Sequence, residues 1–201
     1  MRFRTGKLAA VSSVAALTVL LATPAEATPV VDQEFTKVTN VSVTAVINAG
    51  CKYAGQTFTA GLSGTLTGVN IEVSSNEGAP PLRVAIRATR WGRPSGDPLG
   101  VHYLKNPQAP LTRLITFPQQ IPLLAGERYA IVVSYKGAQP APGPGFGSWA
   151  GAGTQSPPSL YPRGRMFFGD CPLYGLSTFW NFDPGLSLYD LHFRTYMETP
   201  V

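Results

Sequence analysis

The chain has 201 residues, the size of one domain. Charged residues make up only 13% of it, 44% of it is hydrophobic, and 21 glycines and 19 prolines are spread along it, which excludes a disordered polyelectrolyte and a coiled coil. The net charge of +5 is too small and too scattered for a nucleic-acid partner, which needs a basic stripe.

Residues 1–27 read as a secretory signal peptide. Arg2, Arg4 and Lys7 precede an apolar run over 8–22, and Ala25-Glu-Ala27 forms a small-residue cleavage site. The run is shorter than the roughly 20 residues that span a bilayer. The expected product is secreted, begins at Thr28 and has no membrane contact after processing. Removing the leader takes Arg2, Arg4, Lys7 and Glu26 with it, so the charge falls to +3 over 174 residues.

Segment 28–49 is expected to lead into a single domain over 50–197, with 198–201 as a tail. Within it the period is two. Val41, Val43, Ala45 and Ile47 alternate with Ser42, Thr44, Val46 and Asn48. The same alternation runs over 69–74, 82–89 and 191–197. Side chains that point alternately to opposite faces give this pattern in half-buried strands. Tyr129-Ala-Ile-Val-Val133 is apolar on both faces and predicts a central strand. Shorter strands are expected at 56–59, 111–117, 166–168 and 178–182. Glycine and proline clusters at 78–81, 92–100, 107–110 and 183–185 punctuate them, and no helical stripe longer than ten residues occurs after the leader. This predicts an all-β fold, a single antiparallel β-sandwich. Segment 137–160 is Gly/Pro-rich and uncharged, and reads as a long loop, with Trp149 on a short strand over 146–150 at most.

Cys51 and Cys171 are the two cysteines. In an exported chain an even pair favours a disulfide. It would close a loop of 120 residues, where chain entropy alone gives about 4.7 kcal/mol for 100.

No nucleophile elbow, zinc helix, calcium loop or P-loop is present. The histidines are His102 and His192, and His192 falls on the polar face of the last strand. Glu72, Glu127, Asp170, Asp183 and Asp190 are the carboxylates available for a glycosidase pair, with no informative spacing. No cofactor, no metal site and no catalytic residue is expected. Arg83, Arg87, Arg90 and Arg93 read as a strand's solvated face, or as a contact for an anionic wall polymer. The ligand-binding candidates are aromatic: Trp91 in a Gly/Pro-rich turn, Trp149 and Tyr174 in loop-like segments, with Arg93 beside Trp91. Flat rings held on a rigid scaffold can stack on sugars; the alternative for all three tryptophans is that they fill the core or cover the sandwich ends, and Trp180 and Trp149 read that way more than Trp91, which has the best claim to be wet.

Six runs then occur in order: Gly55-Gln-Thr-Phe-Thr-Ala60, Ser63-Gly-Thr-Leu-Thr-Gly-Val-Asn-Ile71, Leu82-Arg-Val-Ala-Ile-Arg-Ala88, Pro94-Ser-Gly-Asp-Pro-Leu99, Leu123-Leu-Ala-Gly-Glu-Arg-Tyr-Ala-Ile131 and Asp190-Leu-His-Phe-Arg-Thr-Tyr196. In this order they resemble a widespread bacterial extracellular β-sandwich module over residues 50–197. The resemblance implies a jelly-roll-like sandwich similar to carbohydrate-binding modules, with Phe58, Leu66, Val69 and Phe193 in the core and Ala125-Gly126 as a turn. It implies no catalytic residue. Cys51, Cys171 and the Pro-rich stretch depart from the pattern.

The expectation is a secreted, non-catalytic protein that binds a glycan or cell-wall polymer, or serves as a structural accessory there. A secreted hydrolase, or a protein-binding or inhibitor module, are the alternatives.

Overall fold

The computed structural model describes residues 28–47, 52–105, 111–136, 147–154, 160–169 and 188–199. Thirteen strands run through them: β1 Val30–Phe35, β2 Val41–Ile47, β3 Tyr53–Thr59, β4 Gly64–Ser75, β5 Leu82–Arg90, β6 Arg93–Pro94, β7 Gly100–Leu104, β8 Leu111–Leu123, β9 Arg128–Tyr135, β10 Gly147–Gly153, β11 Met166–Gly169, β12 Tyr189–Leu191 and β13 Phe193–Glu198. The protein is a β-sandwich of two antiparallel sheets packed together. One sheet has seven strands in the order β1-β13-β4-β10-β12, with β8 on the free edge of β4 and β2 on β10. The other has six, β11-β3-β9-β5-β6, with β7 also on β5.

The alternating residues settle which face is inward. Leu82, Val84 and Ile86 of β5 and Val69, Ile71 and Val73 of β4 are fully buried, and the residues between them are mostly half-exposed. Burying one such side chain contributes about 1.5–3 kcal/mol. Strand β9 lies between β3 and β5 and is buried on both faces, as its unbroken apolar run requires. Its outer face carries Ala130 and Val132, packed with Phe167 and Tyr53. Phe58, Leu66, Val69 and Phe193 are core residues. Ala125-Gly126 forms a turn ahead of β9, with Gly126 at φ 83° and its N–H bonded to the Ala60 carbonyl.

Three expectations change. Strand β8 runs on to Leu123, and the ladder slips between Leu66 and Gly68, so that Leu66 pairs with Ile121 and Gly68 with Thr116. Pro118 falls in that skipped stretch, where its missing N–H costs no ladder bond. Segment 28–49 does not merely lead in, because β1 pairs with β13 and β2 with β10 inside the seven-stranded sheet. The middle of segment 137–160 is not loop. It is β10, which joins β2, β4 and β12. The expected strand over 178–182 lies outside the described residues.

Candidate functional site

Strands β5 and β6 close a hairpin with Arg90 opposite Arg93 and two residues, Trp91 and Gly92, at its tip. Their φ values are 53° and 72°, the type I′ pattern that matches the twist of a tight hairpin. Asn-Gly is the usual pair there. A bulky L-residue in the left-handed region is strained, and Trp91 is the one non-glycine residue with positive φ among the described residues. Trp91 is also 84% exposed. The guanidinium of Arg90 lies 4.4 Å from the centre of its ring, a cation–π contact that holds the side chain away from the core.

The hairpin tip is strongly basic. A Cβ on Gly92 would stand 3.4 Å from Arg128 Nη1 and 3.5 Å from Arg165 Nη2, ordinary contact distances, so it is φ that favours glycine there and the two guanidinium groups that crowd the tip. Burial, then Arg128 and Arg93, push the Arg165 guanidinium below its ordinary value. Farther down β5, burial and then Arg83 do the same to Arg87, whose Nη1 donates to the Gly96 carbonyl. The four arginines of the sequence are therefore not one wet face. Arg83 and Arg87 are half-buried along the strand, and Arg90 and Arg93 stand exposed at the hairpin.

Of the ligand-binding candidates, Trp91 and Arg93 share the β5–β6 hairpin. Trp149 does not join them. It is fully buried between the sheets, with Nε1 donating to the His192 carbonyl at 2.8 Å, so it is core and cannot offer a face to a ligand. Its loop-like sequence context arises because β10 is glycine-rich for close packing, not for flexibility. Tyr174, Trp180, Cys51 and Cys171 lie outside the described residues.

A second concave feature lies on the seven-stranded sheet, where the chain kinks at His192 between β12, which follows β10, and β13, which follows β4. Thr36, Val38, Asn70, Glu72, Thr112, His192 and Arg194 line a cleft of about 290 Å³. His192 Nδ1 faces Glu72 Oε2 at 3.4 Å, and Nε2 faces the Lys37 carbonyl at 3.1 Å. Each ring nitrogen faces an acceptor, so the ring braces the segment between β1 and β2. Arg194 Nε donates to Glu34 at 2.7 Å. Among the described residues no group of three or more His, Cys, Asp or Glu could hold a metal ion.

The sheets are also tied by buried polar groups that sequence reasoning missed. Gln56 of β3 donates from Nε2 to Asp190 Oδ1 at 3.0 Å and accepts the Leu191 N–H at 2.9 Å. The Tyr161 N–H donates to Asp190 Oδ2 at 2.9 Å, and the Tyr161 hydroxyl donates to Gln33 Oε1 at 3.0 Å. Burial pushes the Asp190 carboxyl up to about 6, against the donors that pull it down. Strand parity was the available signal: Gln33 and Gln56 each share a face with an inward phenylalanine two residues on, Phe35 and Phe58.

No protein-family model matches the chain, and no curated protein matches it.

Proposed function

We propose that this is a secreted, non-catalytic protein that binds an extracellular glycan or cell-envelope polymer through the β5–β6 hairpin, in the manner of a carbohydrate-binding module. The observation that carries the reading is Trp91: a large apolar ring, 84% exposed and held at positive φ. Strained, exposed residues persist where a function needs them. The ring is fixed before any ligand arrives, which limits the ordering cost of binding. Arg90, Arg93 and Arg128 around it favour a polymer with acidic groups, because guanidinium forks match carboxylate and phosphate. The leader-like residues 1–27 and the cysteine pair, expected as a Cys51–Cys171 disulfide, fit an oxidising extracellular setting. The hydrolase alternative has less support, since the sequence carries no nucleophile elbow and no zinc helix.

The test is retention on isolated cell walls and insoluble polysaccharides. The wild type is expected to be retained, and the Trp91→Ala variant to lose most of its retention, since truncating a hot-spot aromatic costs about 2 kcal/mol or more. Retention should also fall with added salt. Equal retention of the variant and the wild type would remove the hairpin from the function.

A further inference from the structure

The arginines at the hairpin end come from separate stretches of the chain, and threonines of the six-stranded sheet tie them together. Thr89 Oγ1 of β5 donates to the Arg128 carbonyl at 2.9 Å. Thr57 Oγ1 of β3 accepts the Arg165 N–H at 2.9 Å, and the Thr57 N–H donates to the Arg165 carbonyl at 3.0 Å. Strand β3 also pairs with β9, with Thr59 opposite Arg128. The backbones of both arginines are therefore fixed at one end of the sheet. Their guanidinium groups meet over Gly92, so Arg128 Nη1 and Arg165 Nη2 cannot be farther apart than their distances from a Cβ there, 3.4 and 3.5 Å, combined. Arg93 brings a third cation: behind burial, Arg128 and then Arg93 hold the Arg165 guanidinium below its ordinary value. Arg128 is exposed, and no ion pair among the described residues includes it. Cations held this close repel one another, and an anion set between them relieves the repulsion.

We infer that Arg93, Arg128 and Arg165 form a subsite for a tetrahedral oxyanion, a phosphate or sulfate ester carried by the polymer that the hairpin binds. The inference rests on the hairpin reading, because the polymer brings the ester to the arginines while Trp91 stacks beside it. A carboxylate has two oxygens in one plane and is filled by a single guanidinium fork. Here the guanidinium groups come from β6, from the start of β9 and from the residue ahead of β11, so their donors reach one place from several directions. A tetrahedral group turns oxygens to several directions at once and can take more than one fork. Gly92 leaves the space beside two of these forks unfilled by a side chain.

Sodium phosphate, sulfate and acetate are titrated singly into the folded protein at one ionic strength, balanced with chloride, while backbone amide and arginine Nε–H resonances are followed. Phosphate or sulfate should give saturable shifts at Gly92, Arg93, Arg128 and Arg165, and whichever binds identifies the ester. Acetate should bind at least tenfold more weakly. Arg128→Gln, at an exposed position, should weaken oxyanion binding at least fivefold. Arg128→Lys should restore only part of it, since an ammonium has the charge without the fork. At the same ionic strength the oxyanion that binds, and not acetate, should release the protein from cell walls. The subsite is overturned if phosphate and sulfate do no more than acetate, or if Arg128→Gln binds them as the wild type does. Wall retention lost in Trp91→Ala, with no oxyanion binding in the wild type, overturns the subsite and leaves the hairpin reading standing. Saturable oxyanion binding by a protein that neither walls nor polysaccharides retain does the reverse.

Discussion

A tryptophan at positive φ is a costly way to build a turn. The left-handed conformation costs an L-residue roughly 1–2 kcal/mol, and asparagine, whose short side chain bonds locally, bears it best. Trp91→Asn is therefore expected to stabilise the protein by up to about 1 kcal/mol. The urea midpoint should rise at an unchanged slope, while wall retention falls. This is the usual opposition between stability and function at a binding residue. Loss of several kcal/mol instead would mean that the indole is packed against the fold. The exposure of Trp91 was legible because a tight turn follows an alternating strand. The burial of Trp149 was legible only from the ring's size, because its neighbours Gly147, Ser148, Ala150 and Gly151 carry no hydrophobic period.

Strand β10 shows why composition misleads at the level of elements. Segment 137–160 has the makeup of a loop, yet Gly147–Gly153 pairs with three strands. A Cβ on Gly151 would lie 2.2 Å from the Asp190 carbonyl oxygen and 2.9 Å from the Leu191 Cα, both backbone atoms that cannot swing aside. Glycine there admits β12 at close range; it does not loosen the chain. Gly151→Ala should cost about 1–3 kcal/mol, the range for overpacked interiors, read as a lower urea midpoint. An unchanged midpoint would mean that β12 yields freely. Strands β5, β9 and β13 were legible from their period, since one or both faces are apolar. Strands β1 and β7 were not. They hold edge positions, and β1 places Gln33 inward, which breaks the pattern.

For the whole molecule, the contact most open to test is the polar bridge between the sheets. Gln56 belongs to the six-stranded sheet and Asp190 to the seven-stranded one, and both are fully buried. Neither was singled out as structural from sequence: Gln56 shares the inward face of β3 with Phe58, but a polar residue there reads as an exception, and the three residues of β12 are too few to set a period for Asp190. The bridge has a pH signature whose sign is fixed. Burial raises the Asp190 carboxyl from 3.8 to about 6, so between those values the folded protein holds a proton that the unfolded chain has released. Stability contributed by this group therefore falls as pH rises from about 4 to 6, by about 3 kcal/mol in all. Other carboxylates contribute their own slopes, so the quantity to measure is the difference between the wild type and Asp190→Asn. The asparagine cannot ionise, and its Nδ2, a donor, must face one of the two donors, Gln56 Nε2 or the Tyr161 N–H, that the carboxylate accepted from, so the variant is the less stable of the two in acid. On going from pH 4 to pH 7 that gap should shrink or reverse by about 3 kcal/mol, as the wild type comes to carry a buried charge and the variant does not. Urea unfolding of both proteins at the two pH values checks it. A gap that stays constant would mean that Asp190 is ionised across the whole range, held so by the N–H groups of Gln56 and Tyr161.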